Sequence, residues 1–223
     1  LMDAARNYLF PIYASLLTLW WLRVLGAKIG RNTEISTALL TPKFTVVEDG
    51  AFLADDTMVA SYELGGGWIH VAKATIGKRA FLGNSGITQP GRRVPDDGLV
   101  AVLSAAPYKS KPGSSWLGSP PIRLRRRADQ ADAALTYSPP TRLKVMRAAV
   151  ETCRLIPVIV TFAIGVAVLV SLQALVIRLG YGWAALLCGV LLLAAGAVAG
   201  GAAVAAKWLV VGRIRVSEHP LWS

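Results

Sequence analysis

Aliphatic residues stand at Ile29, Ile35, Val47, Leu53 and Val59, spaced by six, twelve, six and six positions. A second series, Ile76, Leu82, Val94 and Val100, is spaced by six, twelve and six. This period constrains the chain more than any other feature. An ordinary strand alternates with period two, and that does not produce an 18-residue recurrence in two series. A six-residue repeat signals a parallel β-helix, in which each unit makes a short strand and a turn and three units make one coil. The aliphatic residue should point inward, so that each coil covers its neighbour's apolar edge. Positions four later are small (Thr33, Ala51, Thr57, Ala80, Gly86, Gly98 and Ser104), which suits a narrow interior near a corner. Residues 29–106 supply about four coils. The interval from Val59 to Ile76 is 17, which places a phase break near 63–68. There Tyr62-Glu63-Leu64-Gly65-Gly66-Gly67-Trp68 reads as a protruding loop, whose glycines permit unusual backbone angles and close approach of a partner.

The rest of the chain is apolar and basic at once. The 223 residues are 54% hydrophobic and 17% charged, with a net charge of +11 and a mean hydropathy of +0.48. That is too apolar for a disordered polycation and too poor in charge for an ordinary soluble domain. Two cysteines and two histidines exclude a disulfide scaffold and a Cys-rich zinc site, and no metal is expected. Residues 1–107 carry a net +1, 108–153 carry +6 and 154–223 carry +4. The excess charge therefore flanks two uncharged runs, 155–177 and 179–206, separated by Arg178. Each run exceeds the roughly 20 residues that cross a bilayer. With Gly180-Tyr181-Gly182 as turn residues, they read as a transmembrane helical hairpin. Gly196 and Gly200 give the second helix a smooth face for close packing.

Arginines at 123, 125, 126, 127, 142, 147 and 154 precede the first run, and Lys207, Arg213 and Arg215 follow the second. Positive charge favours the cytoplasmic side, so both ends of the hairpin, and the β-helix with them, are expected there. The basic stretch is expected to face anionic lipid headgroups. A nucleic-acid partner is not expected, because the arginines lack interleaved aromatic residues. Residues 7–22, with Trp20 and Trp21 near a basic end, read as an interfacial helix or the exiting end of a span. The expected organisation is an N-terminal interfacial or membrane helix in 1–28, a left-handed parallel β-helix domain in 29–107, a basic membrane-surface linker in 108–153, a two-helix hairpin in 154–206, and the start of a connection to a following domain in 207–223. The sequence reads as a piece of something longer.

Four segments together carry a resemblance. They are Asp49-Gly50-Ala51-Phe52-Leu53-Ala54-Asp55, Gly65-Gly66-Gly67-Trp68-Ile69-His70-Val71, Ile76-Gly77-Lys78-Arg79-Ala80-Phe81-Leu82-Gly83-Asn84-Ser85-Gly86 and Ser115-Trp116-Leu117-Gly118-Ser119-Pro120-Pro121. The repeat resembles left-handed β-helix acyltransferases. The combination resembles the membrane-embedded C-terminal region of ε-poly-L-lysine synthetases and related poly-amino-acid nonribosomal peptide synthetases. The resemblance implies one condensing domain of a multi-pass enzyme of the cell membrane. Its expected partners are membrane lipid, other tandem β-helix domains in a pseudo-trimer, and a carrier domain bearing an aminoacyl thioester. No cofactor is expected on this segment itself, with phosphopantetheine on the partner carrier domain.

The implied reaction is acyl transfer from a thioester to an amine. The amine must lose a proton, and a neutral imidazole, with a pKa of about 6.5, suits that task. His70 is the only histidine in the repeat region and the candidate base. Glu63 and Tyr62 are candidates to orient it or to hold a cationic amine. Asn84 is expected at a coil corner in the left-handed conformation or in a ladder with a neighbour, or else as a hydrogen-bond donor to a thioester or substrate carbonyl. Gly65, Gly66, Gly67, Trp68 and Ser85 complete the candidate substrate-binding set. Asp55, Asp56, Asp96 and Asp97 read as turn residues. Two other functions remain open: a membrane-linked, CoA-dependent acetyltransferase, and a non-catalytic β-helix scaffold in the same assembly.

Overall fold

A computed structural model describes residues 13–125 and 136–213. Expectations placed on residues 7–12, Arg126, Arg127, Arg215 and the remainder of the connection beyond 213 lie outside the described residues. The chain divides into two compact units, Leu1–Cys153 and Arg154–Ser223.

The first unit is a β-helix with three faces. On one face β1 (Lys28–Ile29), β4 (Thr45–Val47), β9 (Ala74–Ile76) and β12 (Arg93–Val94) stack in parallel. On the second, β2 (Glu34–Ile35), β5 (Phe52–Leu53), β10 (Phe81–Leu82), β13 (Leu99–Val100) and β14 (Ser115–Leu117) do the same. The third holds β3 (Leu39–Leu40), β6 (Met58–Val59) and β11 (Ile87–Thr88). The ladders bring Val47 opposite Ile76, Leu53 opposite Leu82 and Val59 opposite Thr88. Leu53, Val59, Ile76, Leu82, Val94 and Val100 are 0% exposed, as the six-residue period requires. Full burial of each such side chain contributes about 1.5–3 kcal/mol. The small residues fit as read. A Cβ on Gly86 would lie 2.7 Å from the Gly83 carbonyl oxygen and 2.8 Å from Leu82 Cδ1.

Both twelve-residue gaps in the aliphatic series are filled by units the period alone does not show. One is occupied by Thr88, buried at 0% exposure although polar. In the other Leu40 pairs with Val59, and the 3₁₀ turn Pro42–Phe44 restores the register afterwards. Corners carry positive φ at Asn32, Asp56, Arg79, Ser85, Asp97 and Leu103, each three positions after an inward residue. The expectation for Asn84 is thereby corrected. The left-handed corner residue is Ser85 (φ 53°), because the corner follows the inward Leu82 by three positions rather than two. Asp side chains tie consecutive coils. Arg31 N donates to Asp49 Oδ1 at 2.6 Å, and Lys78 N donates to Asp96 Oδ1 at 3.1 Å.

The β-helix does not stop at 107. Leu99 N donates to Ser114 O at 2.9 Å, β14 pairs with β13, and β15 (Ile122–Leu124) turns back antiparallel on β14. The start of the expected basic linker is therefore part of the prism. Helix α1 (Leu16–Val24) begins at a capping box, with Ser15 and Thr18 satisfying each other's backbone donors. It buries Leu19 and Leu22 in the cluster that contains Ile35 and Val47. It is thus a cap on the coil stack, which repeat folds need to cover a terminal apolar edge. Helix α2 (Thr141–Thr152) is held by charge. Lys144 Nζ donates to Asn32 Oδ1 at 2.6 Å and Arg147 pairs with Glu34 at 2.7 Å.

The second unit is helix α3 (Leu155–Val210), within which Gly180 leaves helical geometry at φ 79°, ψ 169°. The run Thr141–Val210 includes an 18-residue window of mean hydropathy 2.7, none of it buried, so a helix long and apolar enough to cross a membrane is present. Among the described residues, and apart from the helix's own neighbouring backbone, nothing lies within 4 Å of a Cβ built on Gly196, Gly200 or Gly201.

Candidate active site

The phase break is not an irregular loop. Strands β7 (Tyr62–Gly65) and β8 (Trp68–Val71) form an antiparallel hairpin projecting from the third-face strand β6. The 17-residue interval is one six-residue unit plus an insertion of eleven. Ala72 N donates to Ser61 O at 3.0 Å and closes the neck of the insertion. The turn has two residues, Gly66 (φ 54°) and Gly67 (φ 79°). Positive φ at both positions defines a type I′ turn, whose twist matches that of the strands it joins. The Gly-Gly pair, with Tyr62 and Leu64 alternating before it and Ile69 and Val71 after it, is the sequence signal for this hairpin.

Successive side chains on a strand point to opposite faces, so the register assigns every candidate. Glu63 is opposite His70 and Gly65 is opposite Trp68, all on one face. Tyr62 is opposite Val71 and Leu64 is opposite Ile69 on the other. The structure therefore brings together Glu63, Gly65, Trp68 and His70, and separates Tyr62 from them. The expectation that Tyr62 orients the imidazole is not met, since the pleat turns it to the apolar face. Ile69 and Val71 were not singled out by the sequence, yet their alternation with His70 places them beside Tyr62 and Leu64.

His70 Nδ1 lies 3.3 Å from Glu63 Oε1, with the two side chains 57% and 54% exposed. A proton on Nδ1 donated to the carboxylate leaves Nε2 as the free acceptor on the outer side of the ring. The three glycines differ in role. Gly66 and Gly67 are set by the turn, whereas Gly65 has no positive φ and open space where a Cβ would stand. Trp68 is 81% exposed opposite it. Asn84 and Ser85 are elsewhere, at the corner between β10 on the second face and β11 on the third. The hairpin leaves between β6 on the third face and β9 on the first.

Two arginine-centred groups elsewhere on the prism tie its coils together. Arg79 makes two hydrogen bonds to Asp97, at 2.7 and 2.9 Å. Arg93 makes two to Glu48, both 2.8 Å, and a third to Asp96 at 2.6 Å. The Arg93 hydrogen bonds hold the Glu48 carboxyl below its ordinary value against a smaller opposing effect of burial. At Asp96 desolvation pushes the other way, and bonds from Arg93 and the Lys78 backbone overcome it and lower the pKa.

No family model matches this chain. Along 100% of its length it is 32% identical to the delta-poly-L-ornithine synthetase of Acinetobacter baumannii strain AB307-0294. The alignment runs over 232 residues and takes in 17% of that protein, so the chain spans about a sixth of the length of this relative. Among solved structures it is similar to a hexapeptide-repeat acetyltransferase from Vibrio cholerae, at 18% identity and a TM-score of 0.41, covering 45% of this chain and 62% of that one. It is also similar to a maltose O-acetyltransferase from Clostridium difficile, at 16% identity and a TM-score of 0.36, covering 45% and 59%.

Proposed function

We propose that this chain is a condensing segment of a membrane-bound poly-amino-acid synthetase. It would form amide bonds between a carrier-bound aminoacyl thioester and an amine acceptor. The observation that carries this reading is the alignment of the whole chain with a poly-L-ornithine synthetase. In this reading the coils wind left-handed, and the polymerised residue is a basic amino acid such as lysine or ornithine. The thioester is carried on the phosphopantetheine of a partner carrier domain.

The chemistry follows from the His70–Glu63 pair. Nε2 of His70 accepts a proton as the neutral amine attacks the thioester carbonyl, and Glu63 fixes the ring through Nδ1. The C–N bond forms, the C–S bond breaks, and the imidazolium returns its proton to the departing thiolate. A carboxylate beside the imidazole also stabilises the imidazolium formed in between. Trp68 and the open space at Gly65 lie on the same face and offer a wall and a gap for the acyl chain. Both catalytic side chains are more than half exposed. The proposed site is therefore completed by a neighbouring β-helix domain, as in a pseudo-trimer of tandem domains.

Helix α3 would extend about 84 Å if straight, against a hydrocarbon core of roughly 30 Å. The break at Gly180 lies in a region of backbone space reserved for glycine. We read it as the turn between two spans, with the basic flanks and the β-helix on the cytoplasmic side.

The test is His70→Ala and Glu63→Gln in the whole synthetase, with polymer measured after loading of the carrier domain. Loss of polymer with carrier loading intact supports the reading. Full polymer yield from His70→Ala overturns the catalytic role. The exposure of all eight hairpin strand residues favours a second reading, a non-catalytic assembly arm. That reading predicts loss of domain association, rather than of chemistry alone, when the hairpin is altered.

A further inference from the structure

Helices α1 and α2 turn apolar stripes outward. On α1 the inward residues are Thr18, Leu19 and Leu22. The outward ones are Leu17 (51% exposed), Trp20 (67%) and Val24 (61%), spaced by three and four along one line of the helix. Helix α2 is stranger, because it buries no residue at all. Its half-buried side carries three of its four charged residues, Lys144, Arg147 and Glu151, beside Leu143 and Ala148, and Arg142 stands on the exposed side. Lys144 reaches Asn32, Arg147 reaches Glu34 and Glu151, and Glu151 accepts from the Leu16 backbone N at 2.9 Å. Its outer side carries Val145 (62%), Met146 (55%) and Val150 (71%). A surface helix in water has the reverse polarity, charged outside and apolar inside. The Leu16–Glu151 bond also joins the two helices, so Leu17 and Val150 each stand one residue from the joint.

We infer that α1 and α2 form an apolar platform that lies in the interfacial layer of a lipid bilayer. Three observations favour lipid as the occupant. Covalent continuity is the first: α2 ends at Thr152 and α3 begins at Leu155, so the platform is tethered within a few residues of the longest apolar helix of the chain. The second is chemistry, since an outward tryptophan beside aliphatic residues suits the headgroup boundary. Charge is the third. Glu151 is the only acidic residue of the two helices and is consumed by Arg147 and Leu16, whereas Arg142 is exposed. Adhesion of this kind depends mainly on apolar burial, so it should survive high salt, unlike binding by arginines alone. The inference rests on the proposed membrane location of α3 and is independent of the condensing chemistry.

The experiment uses the full chain in vesicles of phosphatidylethanolamine and phosphatidylglycerol, with Cys153 and Cys188 changed to Ser. Single cysteines at Trp20→Cys, Met146→Cys, Val150→Cys, Leu64→Cys and Phe162→Cys carry an environment-sensitive fluorophore. Nitroxide lipids and aqueous iodide serve as the two quenchers. Ala149→Cys, also on the exposed side, substitutes for either α2 position if that variant misfolds. The platform predicts loss of emission to nitroxide lipid and protection from iodide at 20, 146 and 150, unchanged in high salt, with the hairpin control at 64 quenched by iodide. Iodide quenching at 20, 146 and 150 with lipid quenching retained at 162 overturns the platform and leaves the spans standing. No lipid quenching even at 162 overturns both. Protection from iodide at 146 and 150 without lipid quenching means that protein covers the stripe, which also overturns the inference.

Discussion

The stacked coils and the hairpin use similar aliphatic residues to opposite ends. Leu53, Ile76 and Leu82 are wholly buried, while Leu64 and Ile69 are 72% and 63% exposed. Each coil lays its inward residue on the coils above and below, so the stack meets its own apolar demand. The hairpin has one neighbouring strand and no layer beneath it. A two-stranded ribbon alone is marginal in water. This one is held by its glycine turn, by the neck bond between Ala72 and Ser61, and by its base in the coil. The comparison separates a part that covers its own apolar residues from a part that leaves them exposed.

The largest expected effect isolates the hairpin's chemistry. Under the proposed function, His70→Ala in the full-length protein should lower polymer formation by about 10²–10⁴-fold, the usual worth of a positioned general base, with the thermal unfolding midpoint unchanged. A rate within a factor of a few of the parent would assign the hairpin to assembly instead. Next, Leu82→Ala should destabilise the prism by about 2–5 kcal/mol in chemical denaturation, through a cavity between stacked coils. Leu64→Ala, a similar deletion on the hairpin, should fall within about 0.5 kcal/mol. Equal costs at the two sites would erase the distinction.

Acid provides a third contrast. Glu48 and Asp96 titrate below their ordinary values when folded. Their contribution is therefore complete above the unfolded carboxylate range and is lost as pH falls through the lowered folded values. Stability should decline as pH falls below the ordinary glutamate value of 4.5, and Arg93→Gln should flatten that decline. A parent and variant with the same acid profile would show that the Arg93 network contributes nothing. The smallest effect concerns a corner. Ser85→Gly relieves a left-handed backbone and should stabilise the fold by about 1 kcal/mol, whereas Asn84→Ala should change it by less than about 0.5 kcal/mol. Calorimetry giving the reverse order would return the corner to Asn84.

The inward ladder was legible because its rule is local and repeats: one aliphatic residue every six. Thr88 escaped because it is polar, and Leu40 because the Pro42–Phe44 turn shifts its unit by one position. At the candidate site the sequence isolated His70, Glu63 and the glycines. It did not tell Glu63 from Tyr62 as the imidazole's partner, since that depends on cross-strand register. The reversed polarity of α2 was hidden for a related reason. Its basic residues read as facing lipid headgroups, whereas Lys144 and Arg147 are held by Asn32 and Glu34, more than a hundred positions away.

The sequence by itself determined the repeating coil, the small residues beside its corners and an apolar stretch long enough to cross a membrane. Each of these follows from a period or a length, and none depends on distant partners. Only the tertiary structure decided that Ser85 takes the corner, that His70 faces Glu63 with Tyr62 turned away, and that α2 turns Lys144, Arg147 and Glu151 inward. Those outcomes depend on which strand lies opposite which, and that choice is made by contacts between positions far apart in the chain.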